Sequence, residues 1–136
     1  MAIGIKEKEL HGIIILEPVG RLVLGQESTD FRGKIKEVLE KSDWIKEKWG
    51  WKTRIVLDLG NLSFVDSAGL GALIAARASA ANRGAGIKLA NLTKKMRDTL
   101  TIAKLVTVFD VDDSVEAAVN SFPQVAPTPG VAPAQS

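Results

Sequence analysis

The chain has 136 residues, 46% of them apolar, 25% charged and 5% aromatic, which suits one compact domain with a real core and excludes a disordered polymer. The absence of cysteine excludes a disulfide scaffold, a thiolate zinc site and a cysteine nucleophile, and a single histidine, His11, excludes a His-His metal pair. A formal net charge of +2 gives no reason by itself to expect nucleic acid or a membrane surface, and the apolar stretches fall far short of the roughly 20 residues of a spanning helix.

Met1–Leu10 mixes Lys and Glu with apolar residues, so it does not read as a signal peptide, and a cytoplasmic protein is expected. Ile3–Lys8 alternates apolar and polar, as a half-exposed strand does. Gly12 permits a turn, and the β-branched run Ile13-Ile14-Ile15-Leu16 reads as a buried strand antiparallel to the first. Pro18 and Gly20 punctuate its end, after which Arg21-Leu22-Val23-Leu24 can resume extended structure. Phe31, Ile35, Val38 and Leu39 have helical spacing, and Ser28 or Thr29 is the expected N-cap. Ser42–Lys52 carries all three tryptophans, Trp44, Trp49 and Trp51, and reads as an extension of that helix or as a structured loop.

Arg54–Gly60 is the clearest buried strand. Ala68–Ala81, rich in Ala, Leu and Gly with Arg77 as its single charge, reads as a helix packed over much of its surface and stopped by Asn82-Arg83-Gly84. Gly86–Leu92 is a further strand, Lys94–Lys104 a helix, Val106–Val111 a short last strand, and Asp112-Asp113-Ser114 caps a helix over Val115–Phe122. The order β-β-α-β-α-β-α-β-α requires crossover connections, hence an α/β domain with a mixed sheet of four to five strands and about four helices. The pattern leaves open which face the helices cover. Pro123–Ser136 is uncharged and holds four of the five prolines, so it is expected to be a flexible tail (123–136) on a single domain (1–122).

The chemistry concentrates in Asp66-Ser67-Ala68-Gly69-Leu70-Gly71, which follows a buried strand and opens a helix. The free amides and positive dipole end of a first helical turn tolerate a phosphate there, and phosphorylation of Ser67 would add about 1.5 to 2 negative charges beside Asp66. A partner docked on Gly69, Gly71 and the small helix face would then meet repulsion. The same residues also suit a plain N-cap with glycines for close helix-sheet packing. From the chemistry alone both readings stand.

The run Ile55–Leu73, and within it Val56–Leu73 most specifically, strongly resembles the signature of STAS domains, the anti-sigma-factor antagonist family; in element order the resemblance extends over about Ile3–Phe122. The resemblance implies a small STAS-like α/β domain with helices mainly on one face of a mixed sheet. It further implies a non-catalytic module whose unphosphorylated form binds an anti-sigma factor with serine kinase activity and so frees a sigma factor. Ser67 would be phosphorylated by that kinase and released by a PP2C-type phosphatase, with Asp66, Ser67, Ala68, Gly69, Leu70 and Gly71 forming the partner-binding surface. Two departures stand out. Val23 occupies the place of an aspartate in the family's turn after the second strand, and the Trp-rich Ser42–Lys52 is longer than the common connection. Both suit an alternative: a STAS-type scaffold or accessory subunit, stressosome-like or part of a lipid-transport ATPase, that binds constitutively.

Other constellations are bland. Val65 stands where a nucleophile elbow needs its first glycine, no motif links His11 to Ser67, no P-loop is present, and Gly69-Leu70-Gly71 lacks the third glycine of a dinucleotide fingerprint. A receiver domain is not indicated, since Asp58 lies inside a strand and no acidic pair follows the first one. Asp58 reads as structural, Asp112-Asp113 as a helix cap, His11 as a turn residue and the tryptophans as packing. Lys46, Lys48, Lys52 and Arg54 suit a solvated face better than nucleic acid. Lys94, Lys95 and Arg97 suit the exposed side of a helix that neighbours the Ser67 end and adds a cationic rim. No cofactor, metal or membrane insertion is expected.

Overall fold

The computed structural model describes residues 3–49 and 53–122, with side chains described for all of these but 42–49. The elements are β1 (Gly4–Leu10), β2 (Ile13–Leu22), α1 (Gln26–Trp49), β3 (Arg54–Asp58), β4 (Leu62–Val65), α2 (Ser67–Asn82), β5 (Gly86–Ala90), α3 (Lys94–Ile102), β6 (Val111–Asp112) and α4 (Val115–Ser121). They form the expected α/β domain with a mixed sheet, ordered β1-β2-β3-β5-β6, with β4 as a sixth strand on β2.

β1 and β2 form an antiparallel hairpin whose turn is His11-Gly12, with φ of 54° and 78°. Positive φ at both central residues matches the twist of a hairpin, so His11 is a turn residue. The remaining pairs are parallel: β2 with β3 and with β4, β3 with β5, and β5 with β6.

The alternation along each strand separates two cores. Leu16, Ile55, Leu57 and Leu89 point to one face, where Phe31, Ile35, Val38 and Leu39 of α1, Leu73 of α2, and Met96 and Leu100 of α3 cover them. Ile13, Ile15, Val56 and Ala90 point to the other, where Ala118, Val119 and Phe122 of α4 and its end form a smaller cluster. Three helices therefore share one face and the short α4 takes the other, because only a strand buried on both faces keeps apolar residues at every position.

Several expected boundaries move. β2 continues through Pro18 and Gly20 as one strand. α1 starts at Gln26, ahead of the expected cap at Ser28 or Thr29. Gly25, at φ 113°, turns the chain early, and the Ser28 and Thr29 amides donate to the Val23 and Gly25 carbonyls. The helix then runs on to Trp49, so the first part of the Trp-rich segment is helical; the Trp44 and Trp49 side chains, and Trp51, lie outside the described residues. β5 stops at Ala90 because Asn91 turns to φ 60°, and its side chain donates to Asp58 at 3.1 Å. The last strand shrinks to Val111–Asp112, since Lys104 (φ 60°) ends α3 and the chain through 109 turns to bury Phe109. Ser114, not Asp112 or Asp113, caps α4 and accepts from the Ala117 amide. The expected tail, Pro123–Ser136, lies outside the described residues.

Candidate functional site

β2 is ten residues long, longer than β3 can match, and its two halves take different partners. Ile14–Leu16 pairs with β3, and Gly20–Leu22 pairs with β4 after a register shift at Gly20/Arg21. β4 was not expected from the sequence: Leu62-Ser63-Phe64-Val65 does not alternate in hydropathy, and its partner lies about forty residues away in the chain. This added strand brings the start of α2 beside the end of β2.

Asp66 joins the two. It is the N-cap of α2, and one carboxylate oxygen accepts from the Gly69 amide at 2.8 Å. The other oxygen accepts from the Leu24 amide, across in the β2–α1 connection, at 3.0 Å. The Asp66 amide in turn donates to the Leu22 carbonyl at 3.3 Å. These donors favour the ionised form, so the amides of Leu24 first and Gly69 second hold this carboxyl below the ordinary aspartate range.

Gly69 is buried and faces the same junction. A Cβ there would overlap the Leu22 carbonyl oxygen and stand 2.8 Å from a Val65 methyl. The glycine of the motif thus permits the helix to touch the strand, while Gly71 has room, with Arg32 3.7 Å from the place of its missing Cβ. Leu70 is half-buried and leans on the main core; Ala68 is half-buried as well.

Ser67 is the first residue of α2 and is exposed. Because Asp66 does the capping, the Ser67 hydroxyl is left without a hydrogen bond among the described residues. The structure therefore brings Asp66, Ser67 and Ala68 to one edge of the molecule and turns Gly69 inward. Two residues that the sequence reading passed over stand at the same end. Leu24 is 78% exposed beside Asp66, and Phe64 is 40% exposed on β4. Their apolar character was visible, but their exposure depends on the pairing of β4 with β2.

The remaining expected positions have plain roles. Asp58 accepts from the Gly60 amide and the Asn91 side chain, each at 3.1 Å, which makes it structural. A cleft of about 320 Å³ lies elsewhere, between α1 and α2, with Arg32, Lys36 and Arg83 among its lining. Among the described residues no helix is long and apolar enough to cross a membrane, and no group of three or more His, Asp or Glu side chains is placed to hold a metal ion.

The model of the STAS domain family matches residues 5–118. Among solved structures, an anti-sigma factor antagonist from Mycobacterium paratuberculosis is 17% identical, with a TM-score of 0.72 over 88% of this chain and 92% of that one. The Bacillus cell fate determinant SpoIIAA in its phosphorylated form is 18% identical, with a TM-score of 0.62 over 88% of this chain and 100% of that one. The murine anion transporter Slc26a9 in its inward-facing state is 23% identical, with a TM-score of 0.64 over 83% of this chain but 18% of the transporter. The family match spans most of the chain and includes the signature run at the β4–α2 junction, and this protein belongs to the STAS domain family.

Proposed function

We propose that the protein is an anti-sigma factor antagonist, a non-catalytic binding module of bacterial transcription control that works in the cytoplasm. In its unphosphorylated form it binds an anti-sigma factor with serine kinase activity and so frees a sigma factor. The observation that carries this reading is Ser67, exposed at the first turn of α2 with its hydroxyl unengaged among the described residues, inside the family's motif. A phosphate at that oxygen meets the positive end of a helix, so the fold tolerates it. The same dianion, next to Asp66, opposes a partner docked on that edge. A PP2C-type phosphatase would reset the switch. Likeness to antagonists from two bacteria, one solved in a phosphorylated form, supports the reading.

The direct experiment is incubation with ATP and the anti-sigma kinase, followed by intact mass spectrometry. One added phosphate, lost in Ser67→Ala, is expected. A phosphate on another residue, or none, overturns the switch. Val23, in the place of the family's turn aspartate, favours a second reading, a constitutive scaffold or accessory subunit of another complex. Pull-down of a transporter ATPase in place of a kinase would favour it.

A further inference from the structure

We propose that the exposed face of β4, with Phe64 between the side chains of Arg21 and Lys95, docks an acidic segment of a partner protein that carries apolar side chains. Three elements converge there. Arg21 of β2 lies opposite Phe64 in register, its guanidinium carbon 5.6 Å from the ring centroid. Lys95, in the first turn of α3, brings its ammonium to 5.1 Å from the same ring. Both distances suit attraction to an aromatic face.

Cations without a carboxylate partner among the described residues also occur elsewhere, Arg32, Lys36, Arg77 and Lys104 among them, but here two of them, Arg21 and Lys95, lie over one exposed aromatic ring. Lys34 pairs with Glu7 and Glu37, Lys41 with Glu7, Lys94 with Asp98 and Arg97 with Asp113. The carboxylates on the same elements or next to them are committed: Glu17 of β2 to Asn61, Asp98 of α3 to Lys94, and Asp66, after β4, to two backbone amides. Among the described residues neither Arg21 nor Lys95 has a carboxylate partner. Lys95 moreover stands in a helical first turn without any acidic residue, where the dipole opposes a cation, so helix formation does not account for it. An exposed aromatic ring framed by two cations without carboxylate partners among the described residues, on a strand whose second edge pairs with no described strand, is complementary to an acidic, partly apolar peptide. Nucleic acid fits less well, because the two cations already lie over the ring where a base would have to stack.

The proposal takes from the antagonist reading only that this end of the sheet meets a partner. It then adds a regulatory consequence. Ser67 follows Phe64 by three residues, so their Cα atoms are at most about 11 Å apart. That is close to a Debye length at physiological salt, and a phosphate on Ser67 would weaken the attraction of Arg21 and Lys95 for an acidic partner.

The test is an NMR titration of the full-length protein with a short peptide of alternating Glu and Leu, a Lys-Leu counterpart, and a short oligothymidylate. The acidic peptide should shift the resonances of Arg21, Phe64 and Lys95. The double variant Arg21→Glu/Lys95→Glu should lose about ten-fold or more in affinity for it and gain affinity for the Lys-Leu peptide. Ser67→Glu should weaken acidic-peptide binding several-fold. Shifts confined to other surfaces, unchanged affinity in the double variant, or tighter binding of oligothymidylate than of the acidic peptide would overturn the proposal. The gain for the reversed peptide also guards against a variant that merely misfolds. Docking at Phe64 without Ser67 phosphorylation by a kinase would defeat the antagonist reading alone, so the two failures are distinct.

Discussion

The starts of α2 and of α3 are both capped by side chains, but the caps differ in reach. Thr93 accepts from the Met96 amide, three residues on, and its work ends within its own helix. Asp66 accepts from Gly69 in the same manner and also from Leu24, forty-two residues away in the chain. A hydroxyl at a cap serves the local amides; a carboxylate has two oxygens, and here the second one fastens α2 to the end of β2. With Asp66 capping and clasping, the exposed Ser67 hydroxyl makes no hydrogen bond among the described residues.

The largest effect should come from the contact that the clasp protects. Gly69→Ala puts a Cβ onto the Leu22 carbonyl, a backbone atom that cannot swing aside, and should cost about 3 kcal/mol in urea unfolding. Asp66→Ala should follow, costing more than Thr93→Ala, whose purely local cap is worth about 1 kcal/mol. Equal losses at the two caps would mean that the bond to Leu24 adds nothing.

The same contrast has a pH signature. The Asp66 carboxyl titrates lower in the folded protein than in the unfolded chain, chiefly because of the Leu24 amide. Its stabilisation is complete above the unfolded aspartate value, about 3.9, and is lost as pH falls through the lower folded value. Asp66→Asn should therefore flatten the fall in stability below about pH 4. Part of the fall should persist, because Lys34 holds the Glu7 carboxyl below its ordinary range as well. Chemical denaturation across acid pH reads this directly. The smallest effect belongs to Ser67→Ala, expected within about 0.5 kcal/mol of the parent in a thermal melt. A loss as large as that of Thr93→Ala would show that the hydroxyl is structural after all.

Legibility followed the range of the interactions. The hairpin turn at His11-Gly12, the apolar stripes of α1, the small-residue helix α2 and its stop at Arg83-Gly84 depend on neighbours a few residues away, and each could be read along the chain. Boundaries moved where one residue took positive φ, at Gly25, Asn91 and Lys104. The strand β4 was missed because four residues without alternation become a strand only when Gly20–Leu22 lies alongside. At the site, the motif pointed to Asp66–Gly71 as one surface. The fold divided it, with Ser67 facing outward and Gly69 packed against Leu22.

The α/β class, the hairpin, the apolar stripes of the helices and the place of the serine could be read along the chain, because hydropathy period, turn chemistry and capping preference are local properties. That β2 serves two partners, that Asp66 bonds across to Leu24, and that Arg21, Phe64 and Lys95 meet came from packing alone. Those relations join residues from distant parts of the chain, and they exist only once burial of the sheet's faces has fixed the register between strands.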